Sequence, residues 1–266
     1  MRRFTVITIT YNAAKVVERT LRSVLEQDYE DVEHLIVDGA STDGTLQLVE
    51  QYKKQSDESG NGHKVIVKSE PDQGIYDAMN KGLTQALGDY IVFMNAGDFF
   101  PSADTLKEIA RRCRLNELPS AELPAVLYGN TNVVDDDGKY LYPRRLQPPA
   151  QLTSQSFRNG MLVCHQAFYA RTDIAKNIQY DMRYRYSADV DWCIRVMREG
   201  ERAALPFCNI NMVVANYTEE GTTTRYHRKS LFERFMVMCR QYGCLSTIGM
   251  HLWFVVRMVL YKVKKR

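Results

Sequence analysis

Short runs of Val, Ile and other apolar residues alternate with amphipathic stretches in the first hundred or so residues of the chain. The short runs predict buried strands, and the stretches between them carry apolar residues at helical spacing. This alternation is typical of parallel strands joined by crossover helices, and such open sheets bind ligands beyond the carboxyl ends of their strands. We therefore expect the functional site among the polar residues at these ends. They are Asn12, Asp38, Glu70, Asp72, Asn95 and Asp98.

Caps, periodicity and turn residues predict the other elements. Asn12 and Asp43 are placed to cap the first two helices, and a polar loop is expected over 56–62. The predicted helices cover 14–26, the segment from Leu46 onward, 75–87, 103–116, 189–199 and 230–242. Beyond residue 100 the predicted strands cover 126–129, 132–135, 139–142 and 163–170.

Composition narrows the class of protein. Hydrophobic residues make up 45% and charged residues 25% of the 266 positions, which is ordinary for a folded α/β protein. A net charge of +3, without a basic run interleaved with aromatics, argues against nucleic acid as a partner. The six cysteines are scattered without a C-x-x-C pair, and no signal peptide precedes the first strand, so we expect reduced thiols and a cytoplasmic protein.

Four motifs carry a family resemblance. They are Thr10-Tyr11-Asn12, Asp38-Gly-Ala-Ser-Thr-Asp43, Glu70-Pro-Asp72-Gln-Gly74-Ile-Tyr-Asp77-Ala-Met-Asn80, and Asn95-Ala96-Gly97-Asp98. In this order and spacing they resemble the family 2 glycosyltransferases, nucleotide-sugar enzymes of the GT-A fold. The resemblance implies a Rossmann-like open mixed sheet flanked by helices, with a helical C-terminal extension. Residues 1–100 would bind the nucleotide sugar, 101–225 would complete the catalytic half of the same domain, and 226–266 would form the tail.

The resemblance also implies roles at the strand ends. Asp38 would contact the base or ribose of a UDP- or GDP-linked sugar, Tyr11 would flank the base, and Asp72 would bond its edge. Gly74 would allow the backbone to approach closely. The helix-capping alternative is favoured for Asp43, and Tyr11 as a core residue stays open. The other expected donor-site residues are Thr10, Asn12, Asn80, Asn95, Ala96 and Gly97.

Asn95-Ala-Gly-Asp98 aligns with the Asp-x-Asp element that holds Mg²⁺ or Mn²⁺ on the donor diphosphate in the family. Hard oxygen ligands suit these ions, which would stabilise the departing nucleotide. The motif departs from its usual form because Asp98 is its only carboxylate. The alternative is a turn in which Asp98 acts as a cap. His227 is a weaker candidate ligand.

Tyr186-Ser-Ala-Asp189-Val-Asp191 resembles the segment that supplies the general base in the family. A sugar hydroxyl needs a base to take its proton, and a single displacement with one base inverts the anomeric centre. We predict Asp189 as the base and Asp191 as the second acid. The alternative is that both acids complement the helix dipole. His165 is expected to reach acceptor or phosphate, or to be structural, and Arg225 to act in a lid.

The C-terminal segment from Ile248 onward is apolar with a basic end, but it is too short to span a bilayer and His251 interrupts it. A helix in the membrane interface is one interpretation, and docking on the domain or on a second copy is the other. Membrane contact would favour a polyprenyl-linked acceptor at the inner face of the plasma membrane. The absence of Gln-x-x-Arg-Trp after Asp189 favours transfer of one sugar rather than processive synthesis.

Three other functions are compared with the pattern. A nucleotidyltransferase shares the strand-and-acid architecture but needs a Gly-rich basic loop after the first strand, where Tyr11-Asn-Ala-Ala-Lys15 stands. A dinucleotide oxidoreductase needs G-x-G-x-x-G at the same place, and the motif is missing there. A non-catalytic scaffold of the same fold is compatible with the altered metal motif. The favoured prediction is an inverting, metal-assisted transferase acting on a glycan or lipid-linked hydroxyl.

Overall fold

The structure is a computed structural model that describes residues 1–218 and 227–253. The strands are β1 (Phe4–Thr10), β2 (Val32–Asp38), β3 (Lys64–Ser69), β4 (Tyr90–Phe93), β5 (Val126–Val134), β6 (Tyr140–Pro143), β7 (Phe168–Arg171) and β8 (Phe207–Thr218). The helices are α1 (Val17–Leu25), α2 (Thr45–Ser59), α3 (Ile75–Gln85), α4 (Thr105–Arg112), α5 (Thr172–Ala175), α6 (Ala188–Arg202) and α7 (His227–Tyr242). Residues 244–253 are also helical.

The strands form one mixed sheet in the order β3-β2-β1-β4-β7-β5-β6, with β8 pairing alongside β5. The first four of these run parallel, and β7 pairs antiparallel with β4. All residues of β1 and β2 are buried, and these include the polar residues Thr5, Thr8, Glu33 and His34. The predicted parallel half and the open mixed sheet flanked by helices are confirmed.

Helices cover both faces of the parallel half. One cluster of buried side chains joins α1 and α2 to the sheet through Val17, Leu21, Ile36, Val49 and Tyr52. The larger cluster includes Met79 and Leu83 of α3 and continues through the second half of the chain. This packing leaves the carboxyl ends of β1, β2 and β4 at one edge, where the motifs lie.

Four local predictions were wrong. The expected loop over 56–62 begins as helix, because α2 continues to Ser59 and ends at Gly60 in the left-handed conformation. The strand predicted over 163–170 begins only at Phe168, because a 3-10 turn over His165–Ala167 precedes β7. The predicted strand and the first arm of the hairpin over 126–135 are one strand, β5. Asn12 does not cap α1, because Val16 occupies the N-cap position and Asn12 bonds elsewhere.

The expectation of six reduced cysteines was also wrong. Cys113, which follows α4, and Cys208, near the start of β8, form a disulfide between Cα atoms 6.1 Å apart. The two residues are 95 positions apart in sequence, and only the packing of α4 against β8 brings them together. Four cysteines remain as thiols: Cys164, Cys193, Cys239 and Cys244. The cysteines therefore no longer argue for a cytoplasmic location.

Candidate active site

Asp38 connects the ends of the first three strands. Its fully buried carboxylate accepts hydrogen bonds from the hydroxyls of Thr10 (2.9 Å) and Ser69 (2.7 Å), and from the backbone N–H (2.9 Å) and hydroxyl of Ser41. Burial raises the pKa of Asp38, but these hydrogen bonds outweigh it and hold the pKa below its usual value. Asp38 is thus a buried carboxylate that holds together the loops at the carboxyl ends of β1, β2 and β3, which we call the rim. Its contact with a donor stays a prediction.

Tyr11 and Asp72 both approach Gly39, the residue after Asp38. The Tyr11 side chain is 66% exposed, so it is not a core residue. A Cβ atom on Gly39 would lie 2.4 Å from Asp72 Oδ2 and 3.2 Å from the Tyr11 ring, so this close approach requires glycine. Asp72 Oδ1 accepts the N–H of Gly74 (2.8 Å), whose φ of 120° disfavours other residues at the start of α3. An aromatic ring and a carboxylate are thus close together beside Asp38.

Three other predicted residues hold the rim together. Asn12 Oδ1 accepts the N–H of Thr42 (2.9 Å), which joins the β1 and β2 loops. Asp43 accepts the N–H of Thr45 (3.0 Å) at the start of α2, although it stands one position before the N-cap residue, Gly44. Asn80 bonds both backbone groups of Tyr180, accepting its N–H at 2.7 Å and donating to its carbonyl at 3.1 Å. Asn80 therefore joins α3 to the second half.

The turn after β4 is held by α1. The Thr20 hydroxyl accepts the N–H of Gly97 (2.9 Å) and donates to the Asp98 carbonyl (2.7 Å). Ala96 packs against the cluster between α1 and the sheet. The Asp98 carboxylate is only 7% exposed and accepts a hydrogen bond from Gln166 Nε2 (2.9 Å). Burial raises the pKa of Asp98 to about 6, despite the lowering effect of Gln166 and of nearby His165 and Arg19.

This turn fits a divalent cation in part. Asn95 Oδ1 is buried without a hydrogen-bond partner in the described part of the chain, and the Asp98 carboxylate is destabilised by burial. Both are hard oxygen donors of the kind that Mg²⁺ and Mn²⁺ prefer. Within residues 1–218 and 227–253, no cluster of three or more His, Cys, Asp or Glu side chains could hold a metal. The remaining ligands would have to come from the donor diphosphate and water.

Asp189 lies in the first turn of α6, with its side chain 17% exposed. Its Oδ1 accepts a hydrogen bond from the Tyr76 hydroxyl (3.2 Å), and its Oδ2 lies 3.5 Å from His165 Nδ1. Burial raises the pKa of Asp189, but the hydrogen bond and charge of His165 and the charge of Arg234 outweigh it. The pKa is therefore below its usual value, so Asp189 is ionised at neutral pH.

His165 joins the two halves of the site. Asn95 Nδ2 lies 3.1 Å from His165 Nε2, and His165 Nδ1, on the other side of the ring, lies 3.5 Å from Asp189 Oδ2. The turn after β4 and the first turn of α6 are thereby connected through one imidazole. His165 itself is held by the 3-10 turn His165–Ala167, which also carries Gln166, the partner of Asp98.

Asp191 does not share this environment. Its carboxylate is fully buried, pairs with Arg195 at 2.6 Å and accepts a hydrogen bond from Gln241 of α7 at 2.6 Å. We therefore leave Asp191 out of the catalytic assignment proposed below. Arg225 and the side chain of His227 lie outside the described residues.

Two residues of the site were missed by the sequence analysis. Tyr76 stands inside a quoted motif, two positions after Gly74, and Gln166 directly follows His165. Tyr76 is buried against Tyr180 with ring centroids 5.4 Å apart, and only its hydroxyl reaches Asp189. The sequence could have indicated these two polar side chains by their position beside the predicted site residues. It could not have indicated which groups they bond.

Comparisons with known proteins identify the family and the fold. The family model described as glycosyl transferase family 2 matches residues 5–177. A glycosyltransferase of PGL/p-HBAD biosynthesis from Mycobacterium bovis is 32% identical over 219 residues, covering 82% of this chain and 77% of the relative. The amylovoran biosynthesis glycosyltransferase AmsB of Erwinia amylovora is 28% identical over 233 residues, covering 84% and 74%.

Two solved structures share the fold. S. aureus TarS 1–349 in complex with UDP-GlcNAc has a TM-score of 0.68 at 20% identity, covering 95% of this chain and 73% of that one. The mannosyltransferase PcManGT of Pyrobaculum calidifontis, with GDP-Man and Mn²⁺, has a TM-score of 0.64 at 20% identity, covering 94% and 70%. With its GT-A architecture and its matching family model and relatives, the chain belongs to glycosyl transferase family 2 and is a glycosyltransferase.

Proposed function

We propose that this enzyme transfers one sugar from a nucleotide-diphosphate sugar to a hydroxyl of a glycan or lipid-linked acceptor, with inversion at the anomeric carbon. One observation carries the proposal: His165 connects the Asn95 turn, where the donor diphosphate would lie, to Asp189. A donor-binding turn and an ionised carboxylate thus face the same space. Inverting transfer needs these two groups on opposite sides of the reacting carbon.

Asp189 is the proposed general base. The acceptor hydroxyl would lose its proton to the carboxylate as its oxygen attacks the anomeric carbon, and general-base catalysis of this kind contributes about 10²- to 10⁴-fold to rate. Tyr76 and His165 each contact one carboxylate oxygen and so orient it. Residual solvent exposure of the Asp189 side chain, at 17%, leaves room for the hydroxyl.

The donor is proposed to bind along the rim, with its base between Tyr11 and Asp72 and its diphosphate at the turn after β4. Asn95 and Asp98 would hold Mg²⁺ or Mn²⁺ there. The cation would neutralise charge on the leaving diphosphate. UDP, UDP-GlcNAc and GDP-Man in the structurally similar proteins support a nucleotide-sugar donor, and Mn²⁺ in one of them supports a cation.

Membrane contact by the C-terminal helices forms part of the proposal. In the described portion of the chain, no helix is both long and apolar enough to cross a membrane. However, seven large apolar side chains between 231 and 253 are at least 46% exposed, and such patches mark interaction surfaces. They are Leu231, Phe232, Met236, Leu245, Ile248, Leu252 and Trp253. Sedimentation with phosphatidylglycerol vesicles tests this contact.

The function is tested with Asp189→Asn. Calorimetry of the wild type with UDP and GDP, each with and without Mn²⁺, first identifies the nucleotide that binds. Release of that nucleotide from its sugar donor is then measured with a lipid extract as acceptor. We expect the variant to bind the nucleotide within about twofold of wild type while turnover falls about 10²- to 10⁴-fold.

Asp57→Asn provides the matched control, because Asp57 is an exposed acid on α2. Unchanged turnover in Asp189→Asn would overturn the assignment of the base. Failure of both nucleotides to bind the wild type would overturn the donor site.

A further inference from the structure

An open groove of about 370 Å³ lies between the first turns of α7 and the segment that leads into α6. Its lining residues are Tyr186, Arg228, Lys229, Phe232 and Glu233. Tyr186 stands three positions before Asp189 in the chain. The groove therefore adjoins the segment that carries the proposed base, and none of its residues has a role in the donor site described above.

The groove is firmly built, because Glu233 fastens α7 to the segment before α6. The Glu233 carboxylate accepts the backbone N–H groups of Arg185 (3.0 Å) and Tyr186 (2.6 Å). Ser187 adds a hydrogen bond from its hydroxyl to the carbonyl of Ser230 at 3.2 Å. These bonds join the wall formed by α7 to the residues that precede Asp189.

Positive charge dominates the groove. Arg228 and Lys229 line it, and the Arg185 guanidinium lies 6.0 Å from the centre of the Tyr186 ring. Among the described residues that line the groove, Glu233 is the one acid, and its carboxylate already receives two backbone N–H groups. Guanidinium and ammonium groups that lie this close together are suited to bind a phosphate.

An apolar surface continues from the same groove. Phe232, which lines it, is 65% exposed, and its α7 neighbours Leu231 and Met236 are 49% and 47% exposed. Further along, Leu245 is 88% exposed. Cations beside exposed hydrocarbon match a ligand that carries a phosphate at the end of an apolar chain.

We propose that the groove binds the phosphate of an amphiphilic, lipid-linked acceptor, with its hydrocarbon lying on the exposed side chains of α7. The inference rests on the proposed function, because the sugar attached to that phosphate must present its hydroxyl to Asp189. Arg228 and Lys229 are the residues that select for the phosphate. Phe232 is the residue that selects for the chain.

The test uses farnesyl phosphate as a probe, with farnesol and inorganic phosphate as probes that each lack one half of it. Binding to the full-length protein is measured by calorimetry below the micelle concentration. We expect farnesyl phosphate to bind at least tenfold more tightly than either partial probe. The double variant Arg228→Gln with Lys229→Gln should weaken its binding at least tenfold, and Phe232→Ser should do the same.

Lys53→Gln with Lys54→Gln is the matched control, because it removes the same charge from exposed positions on α2. Equal binding of farnesyl phosphate by wild type and the Arg228/Lys229 double variant would overturn the inference. A second result would also overturn it. If farnesyl phosphate does not bind the wild type, and the double variant loses binding to phosphatidylglycerol vesicles, the two cations serve general membrane docking. UDP and GDP binding, measured in the same proteins, reports separately on the donor site.

Discussion

Asp98→Asn tests the buried carboxylate at the turn after β4. Burial raises the pKa of Asp98 from 3.8 to about 6, which corresponds to about 3 kcal/mol in favour of the protonated form. Between these pH values the folded protein retains a proton that the unfolded chain has lost. The contribution of Asp98 to stability is therefore fully present below about pH 4 and is lost as pH rises through about 6.

Asparagine keeps the shape of the side chain and an oxygen that can accept the hydrogen bond of Gln166, but it does not ionise. Without metal, we expect Asp98→Asn to exceed wild type in free energy of unfolding by up to about 3 kcal/mol at pH 7.5, with a much smaller difference at pH 4.5. The measurement is urea denaturation followed by circular dichroism in the presence of a chelator. Mn²⁺ should no longer strengthen nucleotide binding in the variant.

A stability difference between variant and wild type that is the same at both pH values, or that grows as pH falls, would contradict the raised pKa of Asp98. Asp104→Asn serves as a control for a change of one exposed carboxylate near the same turn. Its stability difference from wild type should stay within about 0.5 kcal/mol over this range.

Two further substitutions test other parts of the site, and a thiol titration tests the disulfide. Gly39→Ala should weaken nucleotide binding at least tenfold in calorimetry, because its Cβ atom would lie 2.4 Å from Asp72 Oδ2; equal affinity would argue against a base between Tyr11 and Asp72. Tyr76→Phe removes the hydrogen bond to Asp189 Oδ1, worth about 1 kcal/mol, so turnover should fall about threefold to tenfold with nucleotide affinity retained. A thiol titration of the unfolded, unreduced protein should count four reactive cysteines and rise to six after reduction; six at the outset would exclude the disulfide.

The parallel half of the fold could be predicted because its signals are local. Each of β1, β2 and β4 is an apolar run followed by a polar residue, and periodicity alone places these strands and the helices between them. The polar ends converge because parallel strands share one edge. The rim formed by Tyr11, Asp38 and Asp72 follows from that geometry.

The second half could not be predicted in the same way, because its features depend on long-range packing. β8 pairs parallel with β5, but its asparagine-interrupted sequence does not read as a strand. Asp189 is assigned by motif, whereas for His165 the sequence left a site role and a structural role open. Their contact depends on the placement of a 3-10 turn against α6. The four hydrogen bonds of Asp38 likewise involve three separate strands or loops.

The attachment of α7 has a practical consequence for work on the enzyme. Gln241 donates to Asp191 and also receives hydrogen bonds from Arg198, while Glu233 holds the backbone before α6. A shortened version ending before α7 would leave the Asp191 carboxylate without Gln241, although its Arg195 partner would remain, and would release the backbone beside Asp189. Expression trials and tail exchanges between relatives should therefore cut after Tyr242, so that solubility can be improved without disturbing α6.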